Sequence, residues 1–171
     1  MSSDAVSAPL TVDDLLQCSA ELVAVPSESF FEAQITELIQ KELAAHQHLE
    51  LTRVGDNLVA RTQLERPVRV ILAGHTDTVP ANGNAQPRLE GDRLWGLGAA
   101  DMKGGLAVML QLAQQHQQPA VDVTYVFYAR EEVASEHSGL AELFQSRPDL
   151  LEGDVALLGE PTDGQIEAGC Q

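Results

Sequence analysis

The sequence predicts an α/β fold in which a mostly parallel central sheet is flanked by helices. Segments with strand character alternate with amphipathic helical segments, an order typical of parallel sheets. The apolar stretch at 68–73 is interrupted only by Arg69, as expected for a strand covered on both faces. A length of 171 residues is sufficient for one domain with a sizeable core.

Periodicity and turn residues divide the chain into helices and strands. The first predicted helix has Thr11 as its N-cap and Asp13 and Asp14 in its first turn, where the helix dipole favours acids. Gly55-Asp56 and Gly91-Asp92 are turn signals that predict two hairpins. The predicted helices cover 11–25, 32–47, 103–116 and 138–145. The predicted strands cover 49–54, 57–62, 68–73, 88–90, 93–95, 121–128 and 155–158, and the last is predicted to be buried.

Composition and charge exclude several classes of partner. Hydrophobic residues make up 44% of the chain and charged residues 21%, which is ordinary for a globular protein. No apolar run approaches the roughly 20 residues needed to span a bilayer, and the first seven residues lack the pattern of a secretory signal. The net charge of −16 opposes binding to nucleic acids and anionic membranes. We therefore expect a cytoplasmic protein that binds neither nucleic acids nor membranes.

Acidic and imidazole side chains directly follow three of the predicted strands, and one further acid follows a glycine-rich turn. In open α/β sheets, ligands bind beyond the carboxyl ends of the strands. Carboxylates gathered at one edge repel each other unless a cation lies between them. The pattern therefore predicts a two-metal hydrolytic site. Its residues are His75, Asp77, Asp101, Glu131, Glu132 and Glu160.

The spacing within each cluster suggests a division of labour. A carboxylate at Asp77 could accept one ring N–H of His75 and leave the other nitrogen for a metal, although this pair alone is more often a hydrogen-bonded strand end. Glu131 and Glu132 point in opposite directions if extended, so one could bind a metal while the other accepts a proton. The alternatives are a solvated acidic turn for the pair and a strand-end acid for Glu160.

The segment Gly96-x-Gly98-x-x-Asp101 partly matches a dinucleotide-binding fingerprint. An acid stands where that fingerprint has its third glycine. A helix N-terminus binds phosphate through exposed N–H groups, and a carboxylate there would repel the phosphate. Asp101 therefore favours a metal site over a nucleotide-binding domain.

Four motifs, in this order along the chain, resemble those of the two-zinc aminoacylase and carboxypeptidase family of metallopeptidases. They are Gly74-His75-Thr76-Asp77-Thr78-Val79-Pro80, Gly98-Ala99-Ala100-Asp101-Met102-Lys103-Gly104, Glu131-Glu132 and Gly159-Glu160-Pro161-Thr162. Within the family, they are most similar to the succinyl-diaminopimelate desuccinylases. One departure is Leu97, where those enzymes often have arginine.

The resemblance implies a set of metal ligands. Asp101 would bridge two zinc ions, or a zinc and a cobalt ion. His75 and Glu160 would hold one of them and Glu132 the other. The last histidine ligand of the family has no counterpart in this sequence, so we expect the Glu132 site to be incomplete in this chain.

The resemblance also implies a reaction. Glu131 would be the general base, and Asp77 would orient the histidine ligand. The amide bond of N-succinyl-LL-2,6-diaminopimelate, a small N-acyl amino acid, would be cleaved to succinate and LL-2,6-diaminopimelate. Two alternatives stay open: acetylornithine deacetylase or another aminoacylase, and a noncatalytic metal-binding fragment.

Members of the family are longer, with a second domain that dimerises and closes over the substrate. The resemblance therefore implies that residues 1–171 are the N-terminal part of the catalytic domain. The dimerisation domain and the C-terminal part of the catalytic domain would be absent. We expect the full-length enzyme to be a homodimer and the chain as given to be inactive alone.

Overall fold

The computed structural model describes residues 11–169. The N-terminal residues considered above for a secretory signal lie outside this range. Between residues 11 and 169, no helix is long and apolar enough to cross a membrane. The helices are α1 (Val12–Val23), α2 (Ala33–Ala44), α3 (Gly104–Gln115) and α4 (Gly139–Ser146). The strands are β1 (Glu50–Val54), β2 (Asn57–Arg61), β3 (Arg69–His75), β4 (Arg88–Glu90), β5 (Arg93–Trp95), β6 (Asp122–Tyr128) and β7 (Val155–Leu158).

The central sheet has five strands in the order β1-β2-β6-β3-β7. β3 pairs in parallel with both β6 and β7, whereas β2 is antiparallel to β1 and to β6. Four of these five strands therefore run in the same direction, with β2 as the exception. This confirms the predicted α/β fold with a mostly parallel sheet. The hairpin β4–β5 forms a separate two-stranded sheet.

Helices cover both faces of the sheet. On one face, α1, α2 and α3 pack through residues such as Leu22, Ile39 and Leu106 against Phe127 and its neighbours. On the other face, Leu143 of α4 packs with residues of β2, β3 and β6. Every residue of β6 is buried, because this strand lies in the middle of the sheet between the two helical layers.

The start of α1 has the predicted cap. The Thr11 side chain accepts a hydrogen bond from the Asp14 amide at 3.2 Å, and the Asp14 carboxylate accepts one from the Thr11 amide at 3.1 Å. This reciprocal pair satisfies amides that the first helical turn leaves without partners.

The prediction that 155–158 is a buried strand is half wrong. The strand is present as β7, but about half of the surface of Val155 (50%), Leu157 (54%) and Leu158 (54%) is exposed. The physical reason is its place at the edge of the sheet, where β3 is its one strand neighbour within residues 11–169. An apolar run indicates a strand, but it does not indicate how many neighbours that strand has.

Candidate metal centre

The residues predicted for the site lie together at the carboxyl ends of β3, β6 and β7. His75 is the last residue of β3 and lies opposite Tyr128, the last residue of β6. The acidic pair follows β6, and Glu160 follows β7. Asp101 comes from a different element, a π-helical turn at Ala99–Lys103 that leads into α3. One edge of the sheet therefore collects side chains from four separate segments.

Two groups of three side chains place ligand atoms close enough to share a cation. Single ligand atoms of His75, Asp101 and Glu160 lie within 4.8 Å of one another, and so do those of His75, Glu131 and Glu132. In the first group, Nε2 of His75 lies 2.9 Å from Oδ1 of Asp101 and 3.9 Å from Oε2 of Glu160. His75 belongs to both groups, so the orientation of its ring affects both.

The His75 ring is buried and held from both sides. Its Nδ1 lies 3.1 Å from the backbone carbonyl oxygen of Asp77 and 3.5 Å from Oδ1 of the same residue. Because these oxygens accept hydrogen bonds, a proton on Nδ1 leaves Nε2 free to act as a ligand. Burial alone would lower the pKa of His75, but hydrogen bonds to Asp77 and Asp101 raise it to about 9. The ring therefore lies in a strongly anionic environment.

The acids around His75 disfavour one another's charged forms. Burial raises the pKa of Glu132, and the charge of Asp101 raises it further. Burial likewise raises the pKa of Glu160; His75 opposes this shift, and Asp101 adds to it. A divalent cation would relieve this repulsion, and a set of one imidazole and several carboxylates suits zinc and related metals. The residues present therefore fit a metal centre.

Close packing fixes the Asp101 turn against the end of β3. The His75 amide donates a hydrogen bond to the sulfur of Met102 at 3.3 Å. Glycine at position 74 leaves room for this packing, because a Cβ there would lie 2.4 Å from Cε of Met102 and 2.8 Å from a methyl group of Leu106. The small residue before His75 thus allows Asp101 to approach the ring.

Lys103 anchors the other side of the same turn. Its side chain is buried, and Nζ donates a hydrogen bond to the Val25 carbonyl oxygen at 2.8 Å, just beyond the end of α1. Burial lowers the pKa of Lys103 to about 8. A cation near a helix C-terminus is favoured by the helix dipole, which partly offsets the cost of removing the ammonium group from water.

The segment that carries the acidic pair is held by its backbone. Four consecutive amides after β6 donate hydrogen bonds to side-chain oxygens instead of sheet carbonyls. The three accepting side chains are all buried. The pairs are Ala129 to Asn57 (3.0 Å), Arg130 to Glu32 (3.1 Å), Glu131 to Asp77 Oδ1 (2.9 Å) and Glu132 to Asp77 Oδ2 (3.1 Å).

Sequence reasoning did not assign a role to Glu32, Asn57 or Lys103. Glu32 stood at the start of a predicted amphipathic helix, and Asn57 at the start of a hairpin strand. Their partners lie 98 and 72 positions away along the chain, and Val25 lies 78 positions from Lys103. Local patterns contain no signal for contacts at that separation. Asp77 was identified, but as a partner of His75 rather than of the acidic pair.

Comparisons with known proteins relate this chain to one family of peptidases. The model of the peptidase family M20/M25/M40 matches residues 71–170. A Mycobacterium tuberculosis protein that carries the provisional name succinyl-diaminopimelate desuccinylase DapE is 49% identical over 159 residues, covering 92% of this chain and 45% of that protein. The succinyl-diaminopimelate desuccinylase of Corynebacterium glutamicum is 42% identical over 164 residues, covering 92% and 44%. The chain thus spans a little under half the length of these relatives.

Solved structures show the same fold at lower identity. Human carnosine dipeptidase 1 aligns with a TM-score of 0.73 at 19% identity, covering 86% of this chain and 38% of that one. The Bacillus subtilis protein YXEP, described as a dinuclear metal-binding peptidase of the M20 family, aligns with a TM-score of 0.59 at 19% identity, covering 86% and 42%.

Proposed function

We propose, on the premise that this chain belongs to the peptidase family M20/M25/M40, that it carries the metal site of a succinyl-diaminopimelate desuccinylase. The observation that supports the proposal most is the placement of His75 in two groups of carboxylates at one sheet edge. The similarity to two desuccinylases over 92% of the chain supports the choice of substrate.

The proposed ligand set follows the first group of side chains for one ion, and the family resemblance for the other, since the second group places Glu132 with His75 and Glu131. His75, Asp101 and Glu160 would hold one divalent cation, and Asp101 with Glu132 would contribute to a second. Zinc, or zinc with cobalt, suits a set of imidazole and carboxylate ligands. When bound, such ions polarise an amide carbonyl and lower the pKa of a coordinated water molecule. The description of the Bacillus subtilis relative as dinuclear supports two ions rather than one.

Glu131 would then carry the proton, and Asp77 would hold the ring of His75 and the acidic pair in place. Glu131 would accept a proton from the attacking water and deliver it to the departing amine nitrogen as the amide C–N bond breaks. Its exposed side chain suits this role, since a proton carrier must reach the substrate. Asp77 would fix the ring of His75 and, through its two carboxylate oxygens, the amides of the acidic pair.

The remaining assignments concern the whole protein. We propose that residues 1–171 correspond to the N-terminal part of a catalytic domain, and that the complete enzyme adds a second domain through which it dimerises. The alignment with the Mycobacterium tuberculosis relative covers 92% of this chain but 45% of that protein, and this difference supports the proposal. The substrate would be a small N-acyl amino acid.

The deciding experiment measures amine release from N-succinyl-LL-2,6-diaminopimelate and from N-acetyl-ornithine, with zinc added. The protein is used in the form that its source organism makes. Faster release from the succinyl substrate, lost on chelation and restored by zinc, is the expected result. Faster release from the acetyl substrate would assign a deacetylase with the same site. Zinc binding without release from either substrate would favour a noncatalytic metal-binding role.

A further inference from the structure

The backbone after β6 leaves the sheet and enters a set of buried side-chain acceptors. We call Asn57, Glu32 and Asp77 the amide cradle, because their oxygens accept the four consecutive N–H groups of residues 129–132. Asp77 also contacts the ring of His75, whose Nδ1 lies 3.5 Å from Oδ1 of Asp77. Within residues 11–169, the Glu32 side chain makes no hydrogen bond to a proposed ligand, and its Oε1 accepts the hydrogen bond of the Arg130 amide.

We propose that Glu32 is a positioning residue for the acidic pair Glu131-Glu132. It acts through the backbone of Arg130, whose amide it accepts, and so sets the direction in which the next two side chains leave the chain. The proposal rests on the function proposed above for that pair.

The burial of Glu32 is the first argument. The residue is fully buried; Oε1 accepts the Arg130 amide, and Oε2 has no hydrogen-bond partner within residues 11–169. A buried carboxylate with an unpaired oxygen is costly, and an apolar residue of similar size would avoid that cost. Burial raises the pKa of Glu32, while backbone N–H groups, including that of Arg130, oppose the shift. An apolar side chain at this position could not accept the hydrogen bond from the Arg130 amide, which the carboxylate does accept.

Backbone conformation is the second argument. Arg130 has a φ of 60° and Phe30 a φ of 76°, so a residue in the left-handed region lies near each end of the Glu32–Arg130 hydrogen bond. This region is uncommon for residues other than glycine, and it persists where surrounding contacts hold the backbone. The Arg130 side chain contributes such contacts, with Nε donating to the His137 carbonyl at 2.7 Å and the guanidinium paired with Glu142.

The third argument is the continuity of the cradle. Ser29, three positions before Glu32, donates a hydrogen bond to Oδ2 of Asp77 at 2.7 Å. Asp77 in turn accepts the amides of the acidic pair. One short segment therefore supports residues 130–132 directly through Glu32 and indirectly through Ser29. Removal of the Glu32 carboxylate would break the hydrogen bond of the Arg130 amide and weaken the hydrogen bonds of the two amides that follow it.

The test compares Glu32→Ala, Glu32→Gln and the matched control Glu28→Gln in the protein as its source organism makes it. Glu28 lies on the same segment but is exposed. Glu32→Gln keeps an oxygen that can accept the Arg130 amide, whereas Glu32→Ala removes it. Hydrogen–deuterium exchange of the peptide covering 129–132, the number of zinc ions bound per chain, and kcat and KM are measured for each.

In Glu32→Ala, we expect exchange in 129–132 to rise about tenfold, as for the loss of one charged hydrogen bond. We expect kcat to fall by a similar factor, with little change in KM or bound zinc. Glu32→Gln should recover most of both losses, and Glu28→Gln should match the wild type. The proposal would be overturned if Glu32→Ala folds and hydrogen exchange in 129–132 is unchanged. It would also be overturned if this variant has a lower melting temperature but an unchanged kcat.

Two further outcomes, a variant that does not fold and a wild type without activity, can be told apart from failure of this proposal. If Glu32→Ala does not fold, Glu32→Asp replaces it, because the shorter side chain keeps the charge but does not reach the Arg130 amide. For Glu32→Asp we expect the same rise in exchange and the same fall in kcat. Unchanged exchange, or a lower melting temperature with unchanged kcat, would again overturn the proposal. If the wild-type protein cleaves neither substrate, the proposed function fails, while the exchange measurement still decides whether Glu32 holds residues 130–132.

Discussion

Nε2 of His75 lies 2.9 Å from Oδ1 of Asp101, although the two residues are 26 positions apart and belong to different elements. The contact joins the end of strand β3 to the turn that precedes α3. It forms because Met102 packs against the small residue Gly74 and accepts the His75 amide. The imidazole and the carboxylate thus meet as the result of core packing.

Replacing His75 by alanine is expected to reduce metal content and activity together. The residue belongs to both groups of ligand atoms, so its removal leaves only carboxylates in each. Metal analysis after dialysis, in parallel with an activity assay, would measure the effect. The exposed His116 provides the control, because His116→Ala removes the same ring outside the site. Retention of two metal ions by the His75 variant would contradict the ligand assignment.

Glu131→Gln should keep the metal but lower turnover by a factor of about 10² to 10⁴, the usual contribution of a positioned general base. The amide side chain preserves shape but cannot accept the proton. Glu136→Gln, a few residues further along and largely exposed, serves as the control. If the Glu131 variant instead loses its metal, the roles of base and ligand within the acidic pair are reversed.

Gly74→Ala is expected to destabilise the fold by about 1–3 kcal/mol, as overpacking of a tight core usually does. The added methyl group would lie 2.4 Å from Cε of Met102, so the Met102 side chain would have to shift, and we expect the neighbouring Asp101 turn to move with it. Urea unfolding would report the stability, and zinc titration should show weaker binding. An unchanged zinc affinity would mean that the turn adapts without moving Asp101.

Asp122, at the start of β6, should contribute to acid unfolding. Burial would raise its pKa, but amide hydrogen bonds from Leu64 and Arg66 and a hydroxyl hydrogen bond from Thr62 hold that pKa below its usual value. A lowered pKa in the folded state gives stability that is present above the unfolded value of about 3.9 and is lost as pH falls through the folded value.

The corresponding experiment is urea unfolding of wild type and Asp122→Asn between neutral and strongly acidic pH. At neutral pH, we expect the variant to be less stable by about 1.5–3 kcal/mol, the range for hydrogen bonds to a charged group. The difference should narrow as the wild-type carboxylate becomes protonated. Asp92→Asn, at an exposed hairpin turn, is the control. If the two proteins differ in unfolding free energy by the same amount at every pH, the charge of Asp122 does not contribute to stability.

Local patterns predicted the fold and the proposed ligands because those features are local. Thr11 caps α1 through a residue three positions away, and His75 is the last residue of β3. The exposure of β7 could not be predicted, since it depends on which strands lie beside it. Glu32 is the clearest case of missing information: nothing in the neighbouring sequence distinguishes it from a solvated acid, and its partner is 98 positions distant.

The exposed edge strand β7 also has a consequence for how this 171-residue chain behaves in solution. Its apolar side chains and the free backbone groups along its outer edge within residues 11–169 form a template on which another strand can pair. The net charge of −16 keeps molecules apart when few ions are present. Added salt screens that repulsion and leaves the apolar edge unchanged. Colloidal stability should therefore decrease as ionic strength increases, and dilute buffers should preserve the monodisperse protein best.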